Sequence, residues 1–141
     1  MADPLTIIGA AASIATIIEI LGETISAIAQ WRETDLAVLA LESQLTTLRA
    51  ALGKVKEWTE ANFEDPHHQL VMDMDRCVAC CRLLIRKLHL EISGLQFTDD
   101  NKLGTASRLK LLLKTKDLEN IQRMIVQQTN ALTLLLTACN M

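Results

Sequence analysis

The chain has 141 residues, a formal net charge of −3 and 50% apolar side chains, yet only 3% are aromatic and there is no Tyr. That length suits one domain spanning 1–141, with a core of real size. The acidic balance, with a pI near 5.6, speaks against a dedicated nucleic-acid binder, whose working face is strongly basic. Two Pro and five Gly are too few turn residues for a sandwich or barrel, and the Leu, Ile, Ala and Met that fill the sequence favour helix.

The first helix is expected from about residue 4 to 30. Asp3-Pro4 reads as an N-cap followed by Pro at the first helical position. Ile7, Ala10, Ile14, Ile17, Leu21 and Ile28 mark one apolar stripe, and Leu5, Ile8, Ala11, Ala15, Ile18 and Ile25 mark another. Up to Leu21 the helix is apolar nearly all round. Such a helix is central in a bundle or meets lipid or a partner. Residues 5 to 18 carry no charge, but this run is shorter than the roughly 20 residues that span a bilayer, and Glu19 and Glu23 end it.

The second helix is expected over about 34 to 62, with Val38, Leu41, Leu45, Leu48, Leu52 and Val55 as its seam. Gly53 weakens it from within. Asp65-Pro66 repeats the cap-plus-Pro start signal. The third helix then runs to about Ser93, with Leu70, Met74, Cys77, Cys81, Leu84 and Leu88 as the expected seam and Gly94 as a C-cap. Residues 94 to 106 read as loop, and Ser107 as the cap of the last helix. That helix has a seam at Leu118, Ile121, Ile125, Leu132 and Leu135, interrupted by Gln128. Leu109 to Leu113 fall out of phase with it, so a bend or restart is expected near Thr115 to Asp117. The pattern as a whole implies an all-α, mostly antiparallel bundle of four helices, or five if the last one restarts.

The residues that carry chemistry elsewhere are sparse. Cys77, Cys80 and Cys81 lie together on the third helix, with Cys139 far away, which is not how a disulfide framework spaces its cysteines. They read as reduced thiols of a cytoplasmic protein. The Cys-x-x-Cys spacing has no second half to close a zinc tetrahedron, and His67, His68 and His89 lack ligand spacing. Cys77 and Cys81 fit the core seam as small apolar residues. Asp73 and Asp75 point to different sides of a helix. There is no Gly-rich phosphate loop and no Gly-x-Ser-x-Gly elbow. No enzyme activity, cofactor, metal or small-molecule substrate is expected. Met-Ala-Asp-Pro lacks the basic n-region of a secretory signal.

From Lys102 to Arg123 there are six basic residues, Lys102, Arg108, Lys110, Lys114, Lys116 and Arg123, against Asp117 and Glu119. This reads as a solvated helix face or as a patch for anionic lipid or an acidic partner. Arg82, Arg86 and Lys87 extend it if the two helices adjoin.

The opening Met-Ala-Asp-Pro-Leu-Thr-Ile-Ile-Gly-Ala-Ala-Ala-Ser-Ile-Ala-Thr-Ile-Ile resembles the start of fungal HeLo-like domains. Those are N-terminal domains of STAND proteins, relatives of NOD-like immune receptors. A leucine-seam helix, here Leu41 to Leu52, and a late basic helix ending in a leucine run, here Ala131 to Leu136, extend the resemblance over essentially the whole chain. It implies a helical signalling or cell-death effector domain that self-associates. Related bundles, including that of the pseudokinase executioner of animal necroptosis, are thought to disrupt membranes. In the HeLo type the first helix is the proposed agent. Carried onto this sequence, the membrane-contacting residues are Leu5, Ile7, Ile8, Ile14, Ile17, Ile18 and Leu21. The basic residues Lys102, Arg108, Lys110, Lys114 and Lys116 are a second candidate surface, for an anionic membrane reached on activation. A passive adaptor or oligomerisation bundle, with its first helix kept in the core, is the alternative.

Overall fold

A computed structural model describes residues 4–31, 36–61, 68–96 and 102–139, and the side chains of 13–31, 36–61, 69–94 and 108–138. Five helices occupy them in the order α1 (Pro4–Ala29), α2 (Leu36–Ala61), α3 (His68–Gln96), α4 (Lys102–Leu113) and α5 (Lys116–Cys139). The fold is all-α, with no strand among the described residues. The two cap residues Asp3 and Asp65, and Pro66, lie outside the described residues.

α1 packs on α2 and on α3, and α5 packs on the same two helices from the other side. The four long helices therefore form a ring in the order α1, α2, α5, α3. Their directions follow from what meets at each level. Ile14, early in α1, lines one small void of about 10 Å³ with Val55 and Trp58, late in α2, and with Val71, Met74 and Val78, early in α3. Thr24, late in α1, reaches His89, late in α3. Trp58 of α2 and Leu136 of α5 line a shared groove near the ends of both helices. Successive long helices thus reverse direction, as short connections require. Two of the four side-by-side packings, α1 on α3 and α2 on α5, are nevertheless between parallel helices, because α2 and α3 face each other across the ring. The short α4 packs against α3, α2 and α5.

The core follows a three-four spacing on every long helix, the stripe of a helix packed at a shallow angle. On α1 it is Ile14, Ile17, Leu21, Thr24 and Ile28, and on α2 Val38, Leu41, Leu45, Leu48, Leu52, Val55 and Thr59. Each fully buried Leu or Ile contributes roughly 1.5–3 kcal/mol of transfer free energy. Three buried threonines take seam positions without leaving a stranded hydroxyl. Thr24, Thr59 and Thr129 each donate to the carbonyl four residues back, all at 2.8 Å.

Four local expectations are corrected. The α3 seam is Val71, Met74, Val78, Cys81, Ile85, Leu88 and Ile92, so Leu70 and Cys77 sit beside it, half-buried. Gly94 does not cap α3: no glycine among the described residues has positive φ, and the helix continues to Gln96. Residues 102 to 106 are helical, not loop, and Ser107 lies inside α4. In α5 the core position after Ile125 is taken by Thr129, while Gln128 stands at the margin.

The restart near Thr115 is present. Lys114 and Thr115 close α4 by donating to the carbonyls of Leu111 and Leu112 at 3.1 and 3.0 Å. The Thr115 hydroxyl then accepts from the Leu118 amide at 3.4 Å, as an N-cap does three residues into a helix. Asp117 and Glu119 follow in the first turn of α5, where the helix dipole favours negative charge.

Candidate functional site

α1 is held where its stripe meets α2 and α3. Of the candidate membrane-contacting residues, Ile14, Ile17 and Leu21 are at most 1% exposed and Ile18 is half-buried. The side chains of Leu5, Ile7 and Ile8 lie outside the described residues. Ala15, Thr16, Glu19, Glu23 and Ser26 are exposed on the far side, so from Ser13 onward α1 is an ordinary amphipathic helix. No helix among the described residues is long and apolar enough to cross a membrane.

One polar contact ties α1 to α3 in addition to its stripe, and one close approach brings α2 against it. The Thr24 hydroxyl lies 3.1 Å from His89 Nδ1. Because that hydroxyl donates its only proton to the Ile20 carbonyl, it accepts here, and the ring carries its proton on Nδ1. The other ring nitrogen faces the Ser93 hydroxyl at 3.5 Å. On the α2 side, Gly22 leaves space for the Arg49 guanidinium, whose Nη2 would stand 3.4 Å from a Cβ at that position. Neither contact was signalled by the sequence. Thr24 and His89 are 65 positions apart, and no short spacing marks them as partners.

The cysteine cluster is not a chemically activated site. Cys81 is fully buried, and Cys77 and Cys80 are half-buried against the core. Burial pushes the Cys81 thiol up to about 12, with smaller contributions from Cys80 and Cys77. Cys77 is also raised, by burial first and then by Cys80 and Asp73. A raised thiol is a poor nucleophile and a poor ligand. Among the described residues, no three His, Cys, Asp or Glu side chains group as metal ligands.

The basic candidates fare differently. Arg108, Lys110, Lys114 and Lys116 are exposed, and the side chain of Lys102 lies outside the described residues. α4, which carries Arg108 and Lys110, packs on α3, which carries the exposed Arg82, Arg86 and Lys87. The two helices that carry the basic stretches therefore pack on each other. Residues 76–90 and 102–116 hold nine of the 14 basic residues and none of the 17 acidic ones. The same stretches carry large apolar side chains in solvent: Leu83 is 66% exposed, Leu90 71% and Leu111 67%. Sequence reasoning missed these leucines. They fall off the seam spacing, and that was the signal available.

Comparisons with protein-family models, with curated proteins and with solved structures find nothing that matches the chain.

Proposed function

We propose that the chain is a non-catalytic effector bundle of the HeLo-like kind, the N-terminal signalling or cell-death domain of a fungal NOD-like receptor. On this reading it self-associates when its sensor oligomerises and acts on cytoplasmic membrane faces through α1. The observation that carries the reading is a coincidence on one helix. α1 opens with the uncharged run of residues 5 to 18, and its stripe from Ile14 to Ile28 is fully buried between α2 and α3. Apolar surface stored in this way is protected from water at rest and finds an equivalent environment in lipid.

The passive adaptor is favoured by a separate observation. With Glu19, Glu23 and Ser26 exposed, the described part of α1 has one core stripe and a solvated back, which is all that a structural helix needs. Dye release separates the two readings. The chain, oligomerised through a fused inducible module, is expected to empty anionic vesicles, with α1 amides losing protection from hydrogen exchange. Intact vesicles with α1 still protected would leave the adaptor.

A further inference from the structure

The face of α3 that turns away from the core has its own regular spacing. Met72, Arg76, Ala79, Leu83, Arg86 and Leu90 follow one another at four and three residues, on the side of the helix opposite the seam of Val71 to Ile92. Met72, Leu83 and Leu90 are all exposed, as are Arg82, Arg86 and Lys87 around the two leucines. Asp73 and Asp75 lie near its start, residues 76–90 hold no acid, and Glu91 follows. Asp73 is engaged with Arg76 at 3.8 Å. α4, which packs on α3, is a second stretch without acids, with Arg108, Lys110 and the exposed Leu111.

We propose that this outer face of α3 docks the folded bundle onto an anionic lipid surface, with α1 still in the core. The proposal shares its partner and some of its basic residues with the effector reading, but it needs neither release of α1 nor activation. The chemistry points to lipid for three reasons. Positive side chains interleaved with exposed leucines match the boundary between phosphate headgroups and acyl chains, where leucine enters the apolar layer and Arg and Lys stay at the phosphates. The concentration of charge is strong for a chain of net charge −3, because every acidic residue lies outside these two stretches. Nucleic acid fits less well, since single-strand platforms stack bases on exposed aromatics, and the aromatics among the described residues, Trp31 and Trp58, are buried.

Flotation of the 141-residue chain with lipid vesicles tests this directly. Vesicles containing phosphatidylserine are expected to carry the chain, vesicles of pure phosphatidylcholine are not, and added salt weakens the association by screening. Each Lys or Arg near an anionic surface is worth about fivefold in affinity, so Arg86→Gln with Lys87→Gln lowers binding on the order of 25-fold. Leu83→Ser with Leu90→Ser also lowers binding, at unchanged Tm because both leucines are exposed. Equal flotation with neutral and anionic vesicles overturns the proposal, and so does wild-type affinity in either double variant. Salt-sensitive self-association without flotation, lost in the same variants, also overturns it and makes a second copy of the chain the partner. The two readings fail separately. Flotation without dye release on oligomerisation sinks the effector reading and leaves the docking face. Dye release with flotation unaltered in the variants does the reverse.

Discussion

A charge placed on the exposed back of α1 separates insertion from stability. Ile14 and Ile17 are the obvious positions to mutate, but both are 1% exposed. An Asp there would bury a carboxylate without a partner, at a cost of several kcal/mol in a domain whose whole stability is of order 5–15 kcal/mol. The bundle would unfold, and lost activity would mean nothing. Ala15 is exposed and one turn before Glu19. In Ala15→Lys the helix propensity changes by a few tenths of a kcal/mol, and the new charge has a favourable neighbour at i+4. Tm should therefore hold. In lipid the same Lys sits within the uncharged run, where a charge costs about 2.5–3.5 kcal/mol, or roughly 70- to 400-fold in the insertion equilibrium. Its attraction to anionic headgroups works in the opposite direction, so a loss of dye release cannot come from weaker surface contact. The assay is dye release from anionic vesicles by the oligomerised chain, with thermal unfolding followed in parallel. Wild-type release at unchanged Tm would refute insertion of α1.

The buried thiol gives a pH signature. Unfolded, Cys81 ionises near 9, and folded only near 12, so between those values the unfolded state holds fewer protons and stability falls as pH rises. Denaturant titrations of wild type and Cys81→Ala should diverge above about pH 9, the wild type losing stability more steeply by about 1.4 kcal/mol per pH unit; parallel slopes would place this thiol in water. Thr115→Ala removes the cap of α5 and should lower stability by about 0.5–2 kcal/mol, read as a shift in denaturation midpoint at constant m. Gly53 lies within α2 with nothing within 4 Å of an added Cβ, so Gly53→Ala should raise stability by about 0.5–1 kcal/mol in the same titration.

The fold was legible because periodicity survives wherever a helix packs along its length. Every expected α2 seam residue is buried, and so are Ile14, Ile17, Leu21 and Ile28 of α1. In α3 the expected Met74, Cys81, Leu84 and Leu88 are buried, but the first half was read one residue early, because Leu70 and Cys77 offer the same apolar spacing as Val71 and Val78. Only the neighbouring helices decide which set turns inward. The segment from 94 to 106 misled for a related reason. Gly94, Gly104 and a run of polar residues satisfy the usual stop signals, yet α3 runs on to Gln96 and α4 begins at Lys102, with Leu109 and Leu113 buried against the bundle. Tertiary packing overrode weak local preference. The Thr24–His89 contact was not legible at all, since the two residues acquire their relation only when α1 lies against α3. The basic residues were legible as a cluster. The exposure of Leu83 and Leu90 beside Arg82, Arg86 and Lys87 required knowing which side of α3 turns inward.

On the effector reading, the topology lets α1 leave without separating the helices it packs on. α5 packs on both α2 and α3 and holds them together independently of α1. The barrier is its stripe. Ile14, Ile17, Leu21 and Ile28 are each at most 1% exposed, and bringing four such residues into water costs roughly 6–12 kcal/mol. A helix held that firmly stays docked in a single bundle, and lipid lowers the cost because it accepts the same apolar surface. Loosening the stripe should therefore act in the opposite direction to charging the back of the helix. Leu21→Ala weakens docking by about 2–5 kcal/mol while leaving the back of α1 and its charges unchanged. Dye release should then begin at a lower degree of oligomerisation, although Tm falls. If the stripe is only structural, the same substitution lowers Tm and gives no release at any degree of oligomerisation. A variant that is less stable and more active, beside one that is equally stable and inactive, is a pair that a passive bundle cannot produce.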